Sequence, residues 1–480
     1  MNRSFQKRNG EESDMEKKRF IALTDIYRNP GDKQPEIDDV ESMLRLLLYA
    51  NDIDIEGLIA TASFCYRQGG KESDRKIILD IIDAYEQVRP NLNVHASGYP
   101  EADYLRGITF CGIPEYGKKL GEGFGDERYN DNPGVNHIIH VVDKDDERPV
   151  WIGLWGGCNT LAQAVWKVWK TRSEAEFNQF LSKIRVYGIS DQDKGGIWMR
   201  QMFGDRIFYI VSPSAGNYPG AFEFLHATWQ GISTDGMSKS DKPKKGFRGA
   251  RKDLVTIDWL AKNIYGQSPY RKLYPMPTVL MEGDTPSYLG LIPNGLGDME
   301  HPEWGGWGGR HEFKIPSRAP FLGVKEKYPI YTETPDTIEL PDGTTETSNF
   351  ATIWRWREGY QYDFAVRMLW TETPHYKDAN HPPVVRLNTA NELTIKAGEK
   401  VVLSAEGSTD PDGDKLFYKW YNYKEAGTWT QVVKVENADQ AIAAFTAPNA
   451  ACTLHFILEL TDSGTPPLTS YARVIVHVQK

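Results

Sequence analysis

Strand-like and helix-like segments alternate through most of the chain, and this alternation constrains the fold more than any other feature. The strand-like runs are FIALTDI, residues 53–63, NLNVHAS, PVWIGLWG, RVYGIS and RIFYIVS. Helical patterns lie between them, at residues 38–50, 75–88, VNHIIHVVDK and NTLAQAVWKVWKTR. Strands that alternate with helices build βαβ units. We therefore predict an α/β domain whose mostly parallel sheet is covered by helices on both faces.

The pattern changes near residue 380, after the linker NHPP. Short β-like runs separated by turns fill the remainder, which is typical of a β-sandwich. We therefore predict three regions: a disordered tail at residues 1–18, the α/β domain at 19–378 and an all-β sandwich at 383–480. The acidic stretch TDPDGD (409–414) in the sandwich has two interpretations, a tight β-turn or a Ca²⁺ site.

Composition excludes several classes of partner. The net charge of −10 and the pI near 5.6 disfavour binding to a phosphate backbone, so we expect no nucleic-acid partner. The one basic run, KPKKGFRGARK (242–252), is interrupted by Gly and Pro and is predicted to be a solvated loop. No run is long and apolar enough to span a bilayer, so we expect no membrane partner. The four cysteines have no metal-site spacing.

Three carboxylates crowd one strand-to-helix turn. Asp25 ends the first strand-like run, and Asp38 and Asp39 begin the helical pattern that follows. Asp38 is also placed to cap this helix, with Glu41 as its capping-box partner. Capping explains one acid only, and converging carboxylates repel one another unless a cation lies between them. Oxygen ligands of this kind suit Ca²⁺ or Mg²⁺, so the turn predicts a metal site.

These acids lie in motifs that resemble a known family. The segment from LTDI to DDVESMLRLLLYANDIDIEGLIATAS resembles the opening motif of nucleoside hydrolases. GLWGGCNTLAQAV and MEGDTPSYLGL resemble two later motifs of that family, in the same order. RVYGISDQDKGG and HPEWGGWGGR resemble a subfamily of cellulose-binding proteins, in which a nucleoside-hydrolase-like domain precedes a cadherin-like sandwich.

The resemblance implies a role for each acid. It implies Ca²⁺ as the cofactor, with Asp25, Asp39, the main-chain carbonyl of Trp155 and Asp284 as its ligands. Asp25 would also be the catalytic base that activates a water molecule. Asp38 would hold a substrate hydroxyl.

Other positions depart from the family and indicate a rebuilt pocket. Ser63 stands where the family has a ribose-binding Asn, and Gly283 stands where it has a late His. We expect Ser63 and Asn159 to contact substrate. Asp191 and Asp193 either form an Asx-turn or bind sugar hydroxyls. Common nucleosides are therefore not the expected substrate.

The aromatic loop WGGWGGR is a further candidate for sugar binding. Gly-rich loops are usually exposed, which predicts Trp304 and Trp307 to be a sugar platform or a lid. Arg310, at the end of the loop, is placed to assist a leaving group.

Two functions follow from these features. The first is a metal-dependent glycoside hydrolase, in which water attacks the anomeric carbon of a carbohydrate or a non-standard nucleoside. The alternative is a non-catalytic protein that binds cellulose or another polysaccharide on the same scaffold. Both imply a carbohydrate or glycoside partner, and both are compatible with a homo-oligomer. The resemblance favours a secreted or periplasmic protein, although residues 1–18 lack the apolar region of a signal peptide.

Overall fold

The computed structural model describes residues 16–28, 37–64, 66–211, 251–275, 282–316, 325–340 and 343–480. The strands of the first domain are β1 (Lys18–Thr24), β2 (Ile53–Ala60), β3 (Thr109–Cys111), β4 (Val150–Leu154), β5 (Ile184–Gly188), β6 (Phe208–Val211), β7 (His311–Lys314), β8 (Ile330–Glu333), β9 (Asp336–Glu339) and β10 (Thr345–Ser348). Its helices are α1 (Ile37–Leu48), α2 (Glu72–His95), α3 (Ala102–Gly107), α4 (Pro133–Val142), α5 (Asn159–Thr171), α6 (Glu174–Ser182), α7 (Gly195–Phe203), α8 (Ile257–Asn263), α9 (Pro286–Leu289), α10 (Ala351–Trp354) and α11 (Arg357–Trp370).

A mostly parallel sheet forms the centre of the first domain, as the alternating pattern predicts. Its eight described strands lie in the order β3-β2-β1-β4-β5-β6-β8-β7, and only β7 is antiparallel to its neighbour. β1 shows why both faces are covered. Phe20 and Ala22 belong to one buried cluster, and Ile21 and Leu23 belong to the other, because alternate residues of a strand face opposite sides. Helices α1 and α2 pack in the first cluster, and α4, α5 and α7 in the second.

One predicted strand is wrong. NLNVHAS, at residues 91–97, was expected to be extended, but residues through His95 continue α2, which contains Pro90. The buried side chains of Tyr85, Val88, Leu92 and His95 follow helical spacing, so packing of this stripe carries the helix past the proline. The adjoining strand of the sheet is instead the short β3, which the sequence pattern did not indicate.

The C-terminal region contains two sheets that share a core. Its strands are β11 (Glu392–Lys396), β12 (Lys400–Ser404), β13 (Phe417–Asn422), β14 (Val435–Glu436), β15 (Ile442–Thr446), β16 (Cys452–Thr461) and β17 (Thr469–Gln479). One sheet has the order β11-β17-β16-β13, and the other β12-β15-β14. Phe445 and Phe456 stack between them, with ring centroids 4.0 Å apart, in a cluster that also buries Trp420.

The two domains also share buried residues. Tyr423, Ile457, Leu468 and Tyr471 of the C-terminal domain belong to the same apolar cluster as helix α11 of the first domain. The C-terminal domain is therefore packed against the α/β domain as part of one core. The predicted disordered tail lies mostly outside the described residues, and β1 begins at Lys18. None of the helices in the described parts of the chain has the length and apolarity needed to cross a membrane.

Candidate functional site

The carboxylates singled out in the sequence are buried at one edge of the sheet. Asp25 follows the carboxyl end of β1, and Asp38 and Asp39 lie in the first turn of α1. The exposed fractions are 6% for Asp25, 7% for Asp38, 4% for Asp39 and 1% for Asp284. Ligands of open α/β sheets bind at this carboxyl edge. Buried acids there are candidate functional groups, because burial of a carboxylate is otherwise unfavourable.

The side chain of Asp25 is fixed by neighbours from two other strands. The hydroxyl of Ser63, after β2, donates a hydrogen bond to Asp25 Oδ2. On the other side lies Gly156, just after β4, where an added Cβ atom would be 2.6 Å from Asp25 Cβ. A side chain at position 156 would displace the acid. The structure thus brings Ser63 to Asp25, and glycine is required beside them.

Asp38 and Asp39 accept hydrogen bonds from outside their helix. The hydroxyl of Thr24 donates to Asp39 Oδ1, and the amide of Gly283 donates to Asp38 Oδ1. Asp38 lies within the first turn of α1, and Glu41 accepts from the amide of Glu282, at 3.1 Å. The residues just before Ile37 lie outside the described ranges, so the expected capping box stays a prediction. The positive end of the helix dipole also stabilises both acids.

A buried ion pair holds the segment that carries Asp284 against α1. Arg45 Nε lies 2.7 Å from Glu282 Oε2, and both side chains are fully buried. Burial raises the pKa of Glu282, and the charge of Arg45 opposes that rise. Thr285 Oγ1 lies 3.1 Å from Ser42 Oγ. Because residues 282–285 are tied to α1 on both sides of Asp284, this acid lies beside the turn that contains Asp38 and Asp39.

Trp155 is buried at the same edge, after β4. Its main-chain carbonyl accepts a hydrogen bond of 2.6 Å from the Gln192 side chain, and its indole N–H donates to Ser287 Oγ at 2.8 Å. The carbonyl oxygen expected to bind metal is therefore already engaged with Gln192, although a carbonyl has two lone pairs.

Asp191 and Asp193 have structural partners. Asp191 forms a two-pronged ion pair with Arg200, at 2.9 and 2.6 Å, so the predicted sugar contact is occupied by a buried cation. Asp193 accepts amide hydrogen bonds of 2.9 Å from Asn159 and from Gly195, the latter closing the predicted Asx-turn. Burial raises the pKa of Asp193 to about 7, against the effect of these donors.

Asn159 begins α5 and is 4% exposed. Its side-chain N–H donates to the carbonyl of Gly117 at 3.3 Å. Among the residues that the structure describes, its Oδ1 atom has no hydrogen-bond partner. Asn159 Oδ1 is thus a buried acceptor beside Gly195, whereas Asp191 and Asp193 are engaged by the protein.

The aromatic loop lies elsewhere, at the junction between the domains. Trp307 is only 2% exposed and packs against Tyr360 and Tyr471, with ring centroids 6.3 and 6.1 Å away. Trp304 stacks on His301 at 4.1 Å. The expectation of an exposed sugar platform is wrong for Trp307, because the C-terminal domain covers the Gly-rich loop.

Arg310 also belongs to the junction. It forms a buried ion pair with Asp336, with Nε and Oδ1 2.7 Å apart, and Asp336 also pairs with Arg355 at 2.7 Å. The Tyr423 hydroxyl of the C-terminal domain donates to the same acid at 2.6 Å. Arg310 therefore joins the two domains and is not placed beside the buried acids.

In TDPDGD, Asp410 Oδ1 accepts the amides of Asp412 and Asp414, at 2.9 and 3.0 Å, which agrees with the tight turn.

Sequence reasoning missed a group of aromatic side chains beside the acids. Tyr27 follows β1, Phe64 and Tyr66 follow β2, and Tyr116 follows β3; all four are half-buried. The rings of Tyr27 and Tyr66 stack with centroids 4.1 Å apart. Phe64 and Tyr116 meet edge to face at 6.2 Å. The available signal was their position, since each follows a strand at the carboxyl edge.

The predicted metal donors are all oxygen atoms. Three carboxylates and a carbonyl form an all-oxygen set, which fits the preference of Ca²⁺. Within the described ranges, no group of three or more His, Cys, Asp or Glu side chains is arranged to hold a metal ion. The oxygen chemistry of the donors fits Ca²⁺, and binding of the ion stays a prediction.

Comparison with known proteins agrees with this fold. Residues 19–311 match the family model described as cellulose-binding Sde182, nucleoside hydrolase-like domain. Residues 400–478 match the cellulose-binding protein Sde0182, C-terminal domain. Among curated proteins, none matches the chain. The cadherin-like character expected of the C-terminal domain is supported by neither family match and stays a prediction.

A solved structure matches nearly the whole chain. A nucleoside hydrolase-related hypothetical protein from Saccharophagus degradans, described as associated with carbohydrate metabolism, is 34% identical, with a TM-score of 0.76; the match covers 97% of this chain and 100% of that chain. The PKD domain from KIAA 1837 protein is 22% identical, and the match covers 20% of this chain and 86% of that chain, with a TM-score of 0.16. PcoC, a methionine-rich copper resistance protein from Escherichia coli, is 16% identical, and the match covers 21% of this chain and 100% of that chain, with a TM-score of 0.13. The last two scores are too low to inform the fold. The Saccharophagus degradans structure agrees with the family match over most of the chain. This chain therefore belongs to the family of cellulose-binding Sde182 proteins with a nucleoside-hydrolase-like domain.

Proposed function

We propose that this protein binds a carbohydrate at the carboxyl edge of its nucleoside-hydrolase-like sheet, in the site built around Asp25, Asp38 and Asp39. The observation that carries the proposal is the burial of these acids, with Asp284 beside them, at the edge where ligands of such sheets bind. The family is named for cellulose binding, and the Saccharophagus degradans protein is described as associated with carbohydrate metabolism. A polysaccharide such as cellulose is therefore the first ligand to test.

The chemistry of the acids supports a sugar ligand. Ionised carboxylates only accept hydrogen bonds, and sugar hydroxyls donate them. Hydrogen bonds to a charged acceptor are stronger than those between neutral groups. In this proposal, Asp38 and Asp39 accept from ligand hydroxyls while Gly283 and Thr24 hold the two acids in place. Asn159 Oδ1 adds a further acceptor.

Binding is tested by co-sedimentation with insoluble cellulose and by titration with cellohexaose. Asp39→Asn keeps the shape of the side chain and removes its charge, so it should weaken binding. Asp80→Asn, on the exposed face of α2, is the matched control and should bind as the parent does. Equal binding by the parent and by Asp39→Asn, or no binding by the parent, would contradict the proposal.

Glycoside hydrolysis is the second candidate, favoured by the placement of Asp25. Its carboxylate is buried and accepts a hydrogen bond from Ser63. Asp25 would accept a proton from a water molecule as the water oxygen bonds to the anomeric carbon. The bond to the leaving group would break, and that group would take its proton from solvent. This candidate adds a reaction to the binding site proposed above.

Hydrolysis is tested with a panel of aryl furanosides, aryl pyranosides, nucleosides and oligosaccharides. Any substrate that the parent cleaves is then assayed with Asp25→Asn. Loss of a general base lowers the rate by roughly 10²–10⁴-fold. If the variant reacts at the parent rate, Asp25 is not the base. If nothing is cleaved while cellohexaose binds, the protein is a binding protein.

We also propose Ca²⁺ as the ion of this site, with Asp25, Asp39, Asp284 and the Trp155 carbonyl as the residues that would hold it. The ion would supply positive charge that offsets the repulsion among the acids. Metal analysis after dialysis against EDTA or Ca²⁺ tests this directly. The parent should bind one equivalent and melt at a higher temperature with Ca²⁺. An Asp25→Ala variant that binds as much Ca²⁺ as the parent would place the ion elsewhere.

A further inference from the structure

We propose that the aromatic cluster, defined as Tyr27, Phe64, Tyr66 and Tyr116, is the entrance through which the chain end of a soluble oligosaccharide reaches the buried acids. This inference rests on the proposed function and specifies its ligand. It assigns the site to chain ends of pyranose oligosaccharides rather than to the flat surface of crystalline cellulose.

The first support is continuity between the cluster and the acids. Ser63 Oγ donates to Asp25 and also accepts the amide of Tyr66 at 3.1 Å. The amide of Ser63 in turn donates to the carbonyl of Tyr66 at 3.0 Å. One small residue therefore joins the carboxylate and the aromatic loop. Tyr27 lies two residues after Asp25 and stacks on Tyr66.

The second support is the origin of the rings in three neighbouring loops. Strands β1, β2 and β3 are adjacent in the sheet, and the loops that follow them carry Tyr27, Tyr66 and Tyr116, respectively. The amide of Tyr116 donates to the carbonyl of Arg67 at 3.3 Å, which ties the second loop to the third. Adjacent strands are about 4.8 Å apart, so the cluster spans roughly 10 Å. That span exceeds the width of a single sugar ring.

The third support is the geometry of the rings. Tyr27 and Tyr66 stack face to face with an interplanar angle of 12°, while Phe64 and Tyr116 meet at 72°. Coplanar, exposed rings are needed to lie on a flat crystalline surface, whereas these rings are half-buried, the first pair is stacked ring on ring and the second pair is steeply tilted. Aromatic rings pack well against the apolar faces of sugars. The acids, at most 7% exposed, are recessed, so only a chain end can reach them.

The test compares Tyr66→Ala with Tyr66→Phe in titrations with cellohexaose and in co-sedimentation with crystalline cellulose. The Phe variant keeps the ring and is the matched control. Loss of one aromatic contact should weaken cellohexaose binding about 3- to 10-fold in Tyr66→Ala and leave Tyr66→Phe near the parent. Tyr116→Ala, in a different loop, should weaken binding in the same direction. Thermal melts confirm that each variant is folded.

Three results would overturn the inference. Tyr66→Ala and Tyr116→Ala could both bind cellohexaose as tightly as the parent, which would place the sugar away from the cluster. The parent could bind crystalline cellulose without competition from cellohexaose, which would assign a flat surface ligand. If the parent binds neither ligand, the proposed function itself fails, and the inference fails with it.

Discussion

Acid should destabilise this protein through two histidines that are buried in their neutral form. The Tyr187 hydroxyl lies 3.1 Å from His311 Nε2. Burial lowers the pKa of His311 from 6.5 to about 4. Arg473 donates to His455 Nδ1 at 3.0 Å. Burial, together with the charge of Arg473, lowers the pKa of His455 from 6.5 to about 3. In the unfolded chain both imidazoles regain their ordinary pKa.

The size of the effect follows from these pKa values. Below pH 6.5 the unfolded state binds protons that the folded state does not, so stability falls as the pH falls toward the folded pKa. At pH 5, which is 1.5 units below the ordinary value, each histidine costs about 2 kcal/mol at 1.36 kcal/mol per unit. Both histidines are neutral in both states well above pH 6.5, so this loss is absent at pH 8.

Urea unfolding at pH 8 and pH 5 measures the effect, because other groups cancel when variants are compared. His455→Gln keeps an acceptor for Arg473 and removes the titrating ring. Its stability should fall between the two pH values by about 2 kcal/mol less than that of the parent. Val432→Gln, at an exposed position of the same domain, should fall as the parent does. Equal losses in the parent, His311→Gln and His455→Gln would refute this reasoning.

Three further changes test the site and the junction. Arg45→Met should lower the free energy of unfolding, measured in urea titrations, by about 3–5 kcal/mol, because Glu282 would be left buried without its cation. The double variant Arg45→Met with Glu282→Leu should recover much of this loss. Gly156→Ala should cost about 1–3 kcal/mol and also weaken cellohexaose binding, because its Cβ would press on Asp25; binding at the parent level would contradict the site geometry. Trp307→Ala should cost about 3–5 kcal/mol and yet bind cellohexaose as the parent does, whereas a selective loss of binding would restore Trp307 as a sugar platform.

Local patterns predicted the sheet and the position of the acids. The alternation of strand-like and helix-like segments predicted the parallel strands. The rule that ligands bind at the carboxyl edge of such a sheet placed Asp25 where the structure has it. Contacts distant in sequence were not predictable. Trp307 is buried by Tyr471, which lies 164 residues later, so its Gly-rich neighbours gave a misleading signal of exposure. Arg200 lies in α7, a helix that the sequence pattern did not indicate, and pairs with Asp191 in the loop before that helix. Pro90 is tolerated in α2 because tertiary packing holds that helix.

The structure of the protein with cellohexaose bound would test the central claim most directly. The account predicts sugar density at the carboxyl edge of the sheet, with hydroxyls within hydrogen-bond distance of Asp38 and Asp39 and a pyranose ring against the Tyr27–Tyr66 pair. Density confined to the C-terminal domain or to the loop around Trp304, with the edge beside Asp39 free of sugar, would contradict it.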